Sequence, residues 1–310
     1  MHPTLRFVAS LATASLLAGP AAAACERVTF ANVGWTETTI TTAVSKVMLV
    51  TLGYKVDIDV LGVPETYAAL HAGEADVFLG NWMPAMDADL APYRAEGTVV
   101  TLRANLRGAK YTLAANAPAA ALGIADFADI APQAAALGGR IYAIQPESDG
   151  NRLIRQMIET GAFGLGGFQI AESSEEGMVE AVRAATEAGQ PAVFLGWEPH
   201  PMNAELEMTY LSGGDDWFGP DFGGASIYTN ARVGLAADCP NLNRFFVNLG
   251  FSLEMVSALM SAVLLGGEDE EDAAEQWLAD HAEEWEGWLD GVKTRDGRDA
   301  LEVAREELVG

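Results

Sequence analysis

The sequence predicts an α/β protein built as two lobes of similar plan. Three observations carry this. Short apolar runs of strand type alternate with longer stretches of helical periodicity. That alternation occurs once before residue 100 and again after residue 140. In both halves the third strand ends in Phe-Leu-Gly and then presents a tryptophan, as "FLGNWMP" at 78–84 and "FLGWEPH" at 194–200.

The elements come in order along the chain. "RVTFANV" (27–33) reads as a strand and 38–53 as a helix stopped by Gly53. "KVDIDVLG" is a strand, and "PETYAALHAGE" a helix with Pro64 placed to start it. "ADVFLG" (75–80) is a short buried strand, which completes βαβαβ, the pattern of a parallel sheet. The second half repeats it. "RIYAIQ" (140–145) is a strand and 149–161 a helix closed by Gly161. "FQIAES" is a strand, "SEEGMVEAVRAATEAG" a helix and "PAVFLG" (191–196) a strand. Two lobes are expected from this rather than one long sheet. Residues 102–116 leave the first lobe, and the glycine-rich 210–230 comes after the second. The rest of the chain is mostly helical, with no strand set for a third lobe. It is expected to return to lobe one. Lobe one is therefore 25–109 with 216–310, lobe two is an insertion over 110–215, and two crossings form a hinge.

Residues 1–24 are read separately. Arg6 is their only charge, "FVASLATASLLAG" is an apolar core too short to span a bilayer, and small residues come after it. This is the pattern of a cleaved signal peptide and implies export. The two cysteines, Cys25 and Cys239, are an even count that suggests one disulfide in an exported protein. The alternative, a lipid-modified Cys25, lacks the leucine such a signal usually carries. The net charge of −26, from 18 basic and 44 acidic residues, argues against nucleic acid or an anionic membrane as partner.

In open α/β sheets, ligands bind beyond the carboxyl ends of the strands. Trp35, Trp82 and Trp197 all stand at such ends, and Tyr111 lies just past the first crossing. A Trp after a strand is often core. The shared address of these three favours a site, with Gly34, Gly80 and Gly196 beside them leaving room for close approach. Aromatic faces attract a desolvated organic cation. Trp217, Trp277, Trp285 and Trp288 are assigned to structure. Glu37, at a helix start, is either a cap or a ligand group. Ser148, Asp149 and Asn151 occupy the equivalent place in the second half. Most such residues are caps, though one could reach a ligand hydroxyl. No catalytic motif is present, and His2, His71, His200 and His281 have no metal-ligand spacing. The acidic "GGDDWFGPD" lacks EF-hand spacing. No cofactor, metal or catalytic residue is expected.

With "GWTE", "GNWMP", "KYTLA", "DGNRL" and "FLGWEPHPMN", the mature chain resembles the periplasmic substrate-binding proteins of ABC importers for choline and glycine betaine, and most of all the choline-binding branch. The resemblance implies a two-lobed periplasmic binding protein fold of type II. It implies a Cys25–Cys239 disulfide and an aromatic box of Trp35, Trp82, Tyr111 and Trp197 around a trimethylammonium group. Two positions depart from the pattern. Glu37 stands where the branch carries Asp, and Ser148 where it carries Asn, at the two groups that read the choline hydroxyl. The expected function is that of a monomeric periplasmic protein that hands a small quaternary amine, choline first, to an inner-membrane permease. Trimethylamine N-oxide and glycine or proline betaine are the runners-up. A secreted enzyme acting on choline-like compounds is the reading from another class.

Overall fold

The computed structural model describes residues 25–310, so the expected signal segment lies outside the described residues. Strand β1 (Arg27–Asn32) is followed by helix α1 (Thr36–Thr51), strand β2 (Lys55–Val60), a helix over Val63–Ala72 and strand β3 (Val77–Met83). β2 and β3 flank β1 and both run parallel to it. The Val63–Ala72 helix has proline in its first turn and ends on Gly73 at φ 74°, a left-handed cap that a side chain would strain.

β4 (Val99–Asn116) is a single strand of 18 residues. After it come β5 (Arg140–Ala143), β6 (Gln169–Glu172) and β7 (Val193–Glu198), again parallel and again joined by helices, Asp149–Thr160 and Glu175–Glu187. Both helices start on a serine whose hydroxyl accepts an amide from the first turn. Ser148 takes Asn151 N–H at 3.2 Å, and Ser174 takes Gly177 N–H at 3.0 Å. The chain then adds β8 (Met208–Tyr210) and β9 (Gly224–Arg232).

The two parallel strand sets are not separate. The run 102–116, a crossing by its sequence, lies within β4, and 210–230 contains most of β9. The early part of β4 pairs with β9, which in turn pairs with β3. Its later part pairs with β7 and β8. All of these pairings are antiparallel. They link the sets into one hydrogen-bonded path, β2-β1-β3-β9-β4-β7-β5-β6, with β8 beside β4. Each lobe keeps its own parallel centre, and β4 belongs to both. Its length explains this: 18 residues at about 3.3 Å each span roughly 60 Å, more than one lobe requires.

The chain after β9 is helical and returns to α1. Helices Leu253–Leu264 and Glu270–Asp280 pack on α1, and Lys46 of α1 pairs with Glu271. The disulfide Cys25–Cys239 ties the residue two before β1 to the start of the Pro240–Asn248 helix. It closes a sequence separation of 214 residues, which in a chain-entropy account is worth roughly 5 kcal/mol against the unfolded state. Trp277, Trp285 and Trp288 are buried in this C-terminal layer, and the Trp285 indole donates to Leu278 O at 2.8 Å. Among the described residues, no single helix is long and apolar enough to cross a membrane.

Candidate functional site

Parallel strands bring their carboxyl ends to one edge of a lobe, and the aromatic residues of interest stand there. Trp35 is the residue before α1, Trp82 lies near the end of β3 and Trp197 near the end of β7. Tyr111 is directly opposite Trp197 in the β4–β7 ladder, so both side chains leave the same face. Trp35, Glu37, Trp82, Tyr111, Ile144 and Trp197 line one cavity. The rings of Trp82 and Tyr111 form adjoining walls, with centroids 5.6 Å apart and planes at 50°. None of the four aromatic residues is more than 9% exposed.

Two of the walls have ring neighbours of their own. Phe218 meets Tyr111 edge-on at 6.0 Å, and His200 meets Trp197 edge-on at 5.0 Å. The Tyr111 hydroxyl accepts the Gly150 amide at 3.1 Å. A Cβ on Gly150 would stand 2.3 Å from that hydroxyl, so this position has to be glycine for Tyr111 to reach it. Gly80 and Gly196 differ from the expectation. Their missing side chains make room for protein, with Thr38 against Gly80 and with Met208 and Ala114 against Gly196. Gly34 sits at φ 74° and turns the chain into Trp35.

Glu37 supplies the charge. It is 2% exposed, and its Oε2 accepts the Trp82 indole N–H at 3.2 Å and the Thr38 hydroxyl at 3.1 Å. Burial pushes the carboxyl up from 4.5 to about 7. The bonds from Trp82 and Thr38 oppose that rise, and the charge of Glu175 adds to it. The change amounts to roughly 3 kcal/mol against the charged form. A carboxylate at that cost, beside π faces and near neutrality, gains from any cation placed next to it.

Ser148, Asp149 and Asn151 take other places. Ser148 caps the Asp149–Thr160 helix and lines the adjoining cleft with Trp35 and Gln145. Asn151 clamps the backbone of Ile144. Its side chain accepts Ile144 N–H at 3.2 Å and donates to Ile144 O at 2.8 Å, so it shapes the cavity through that residue. Asp149 is 1% exposed, and neither carboxylate oxygen has a partner at full hydrogen-bond geometry. Burial first, and the charge of Asp89 second, lift it to about 7. None of these three lines the cavity.

Sequence reasoning misses Ile144, Glu175 and His200. Ile144 comes directly after β5, the same strand-end address that singles out the tryptophans. His200 stands three residues after Trp197 in "GWEPH", and its lack of metal spacing hides a role of another kind. Contacts also cross the cleft. Arg152 donates to Ala85 O at 2.9 Å and to Asp89 at 2.8 Å, while Glu175 accepts Thr36 N–H at 3.0 Å. Among the described residues, no group of three or more His, Cys, Asp or Glu could hold a metal ion.

Two solved structures resemble this chain over nearly its whole length, and a curated relative over part of it. A solved ABC-transporter choline binding protein in complex with choline is 53% identical, with a TM-score of 0.91 over 92% of this chain and 99% of that one. An ABC-transporter choline binding protein in an unliganded semi-closed conformation is also 53% identical, with a TM-score of 0.85 over 91% of this chain and 98% of that one. The glycine betaine/carnitine transport binding protein GbuC of Listeria monocytogenes is 29% identical over 130 residues, 42% of each chain. The family model for the substrate binding domain of ABC-type glycine betaine transport systems matches residues 26–280. That match spans most of the fold and every wall of the cavity, and the chain belongs to this family of ABC-transporter substrate-binding domains.

Proposed function

We propose that this protein binds choline between its lobes and delivers it to an ABC permease in the inner membrane. The observation that carries this reading is the cavity itself, with four aromatic rings and one buried carboxylate lining a common space. A trimethylammonium group cannot donate conventional hydrogen bonds, so π faces and a nearby negative charge are what recognise it. Each good desolvated face contributes about 2 kcal/mol. Trp35 and Trp82 hold the head from lobe one, and Tyr111 and Trp197 close on it from lobe two. Glu37 balances the charge and accepts from the hydroxyl, with Ser148 in the adjoining cleft.

Charge separates the candidate ligands. Choline carries one positive charge and restores an ionised Glu37. Glycine betaine adds a carboxylate that an ionised Glu37 repels. Below pH about 7 the protonated Glu37 can donate instead, so glycine betaine and trimethylamine N-oxide gain in acid.

Lobe one comprises 25–109 with 216–310, lobe two comprises 110–215, and the lobes hinge on β4 and the run 210–230. Residues 1–24 direct export and are removed. The mature monomer works in the periplasm by binding and release, without catalysis. Membership of a transport-protein family supports this reading, as does a disulfide of the kind that persists outside the cytosol.

Calorimetric titration of the mature protein with choline, glycine betaine, carnitine and trimethylamine N-oxide at pH 8 tests the assignment. Choline is expected to bind tightest. Absence of heat from every quaternary amine, or a preference for glycine betaine at that pH, overturns it.

A further inference from the structure

Helix α1 begins without a cap of its own. Trp35 holds the N-cap position, and its side chain accepts no amide. The first turn of a helix has free N–H groups and a positive dipole end, so a carboxylate is favoured there. In this protein the carboxylate comes from the other lobe. Glu175, the first residue of the Glu175–Glu187 helix, reaches over the cleft, and its Oε2 accepts Thr36 N–H at 3.0 Å.

The far oxygen of the same carboxylate is also engaged. Glu175 Oε1 lies 3.1 Å from His200 Nε2. The other ring nitrogen, Nδ1, accepts Met202 N–H at 3.0 Å, so the ring hydrogen sits on Nε2 and points at Glu175. Both side chains are buried, His200 at 4% exposure and Glu175 at 9%. His200 in turn stands edge-on against Trp197, a wall of the cavity. One chain of contacts thus runs from Trp197 through His200 and Glu175 to the amide between Trp35 and Glu37. Both ends of that chain are cavity walls, on opposite lobes.

We infer that Glu175, oriented by His200, is a ligand-linked latch. It is a positioning residue that fastens lobe two to the uncapped start of α1 when the cavity closes over its ligand. When the lobes part, Thr36 N–H and the Glu175 carboxylate return to water, and nothing inside either lobe is lost. The latch therefore acts on the closed state alone and sets how long the ligand stays. The inference rests on the proposed choline site for its ligand.

Glu175→Asp tests it. Aspartate keeps the charge and suits a helix start, but it is one methylene too short to span the cleft. The expected result is a roughly tenfold weaker choline affinity, the size of one lost charge-assisted hydrogen bond. It should appear mainly as faster choline release in stopped flow, with the ligand-free protein, which loses only the Glu175–His200 contact, destabilised less than the choline-bound protein. Small-angle scattering at half-saturating choline should show less compaction than in wild type. His200→Ala should speed release similarly, and the double variant should add little, because both changes break one chain of contacts. Wild-type release from Glu175→Asp, additive losses in the double variant, or equal destabilisation of the ligand-free protein would each overturn the latch. Wild type measured alongside separates two failures. If wild type binds no choline, the ligand assignment falls and the latch falls with it. If wild type binds and the aspartate variant releases choline at the same rate, only the latch falls.

Discussion

Trp82 does two jobs that can be separated. Its ring is a cavity wall, and its indole N–H is one of two donors to a buried carboxylate. Trp82→Ala loses both and should weaken choline binding by one to two orders of magnitude, about 2 kcal/mol from the lost face plus the cost of a less satisfied Glu37. Trp82→Phe keeps a face and loses only the donor, so it should fall between wild type and alanine. Titration calorimetry on the three proteins checks the order. Equal affinities for phenylalanine and alanine would place the whole effect on the N–H. Glu37 makes the other prediction at this scale. With its carboxyl near 7 in the free site, a proton has to leave before a cation binds beside the ionised form. Choline affinity should therefore fall as pH drops through about 7, and Glu37→Gln should be weaker by roughly tenfold at pH 8 and nearly flat with pH. The ligand-free protein gives an independent check. A buried acid with a raised pKa costs stability progressively as pH climbs from the unfolded value of 4.5 toward 7, so the glutamine variant should melt higher than wild type at pH 8 and lose that advantage in acid. If choline binding by wild type shows no pH dependence, Glu37 does not face the ligand.

The elements differ in how readable they are from sequence. The parallel strands and their helices are legible because each is a local pattern, a short β-branched run followed by an amphipathic stretch with a proline or serine start and a glycine stop. Gly73, Gly161 and the caps at Ser148 and Ser174 are of this kind. β9 is not legible. "GASIYTNAR" sits after a glycine-rich run and reads as the end of a crossing. Its identity as a strand comes from partners far away in sequence, β3 and β4. The same limit explains the glycines. Gly80 and Gly196 announce close approach correctly, but only the fold reveals that Thr38 and Met208 are what approaches. Asn151 looks like a cap or a ligand group because it lies close after Ser148, yet its amide serves the end of β5. Residues that act through another segment carry no local signature. Glu175 is the strongest instance: it reads as an ordinary first-turn acid, and its partner Thr36 is 139 positions away.

At the scale of the molecule, the cavity joins material from both lobes, and two contacts cross the cleft beside it, Arg152 to Ala85 and Asp89, and Glu175 to Thr36. The disulfide and the helices that return to α1 consolidate lobe one, and the proposed hinge is β4 with the segment before β9. Under the proposed function ligand binding and lobe closure are one event, and the quaternary head is enclosed by π faces from both sides. Enclosure by aromatic rings has a direct spectroscopic consequence, because protons held over ring faces resonate upfield of their position in water. The most direct test is therefore the proton NMR position of the choline N-methyl groups in the complex. A large upfield displacement of that line is expected on binding to wild type, reduced in Trp82→Ala and Trp197→Ala at saturating ligand. A bound choline whose N-methyl line stays where it stands in free solution would contradict the aromatic enclosure on which the proposed function rests.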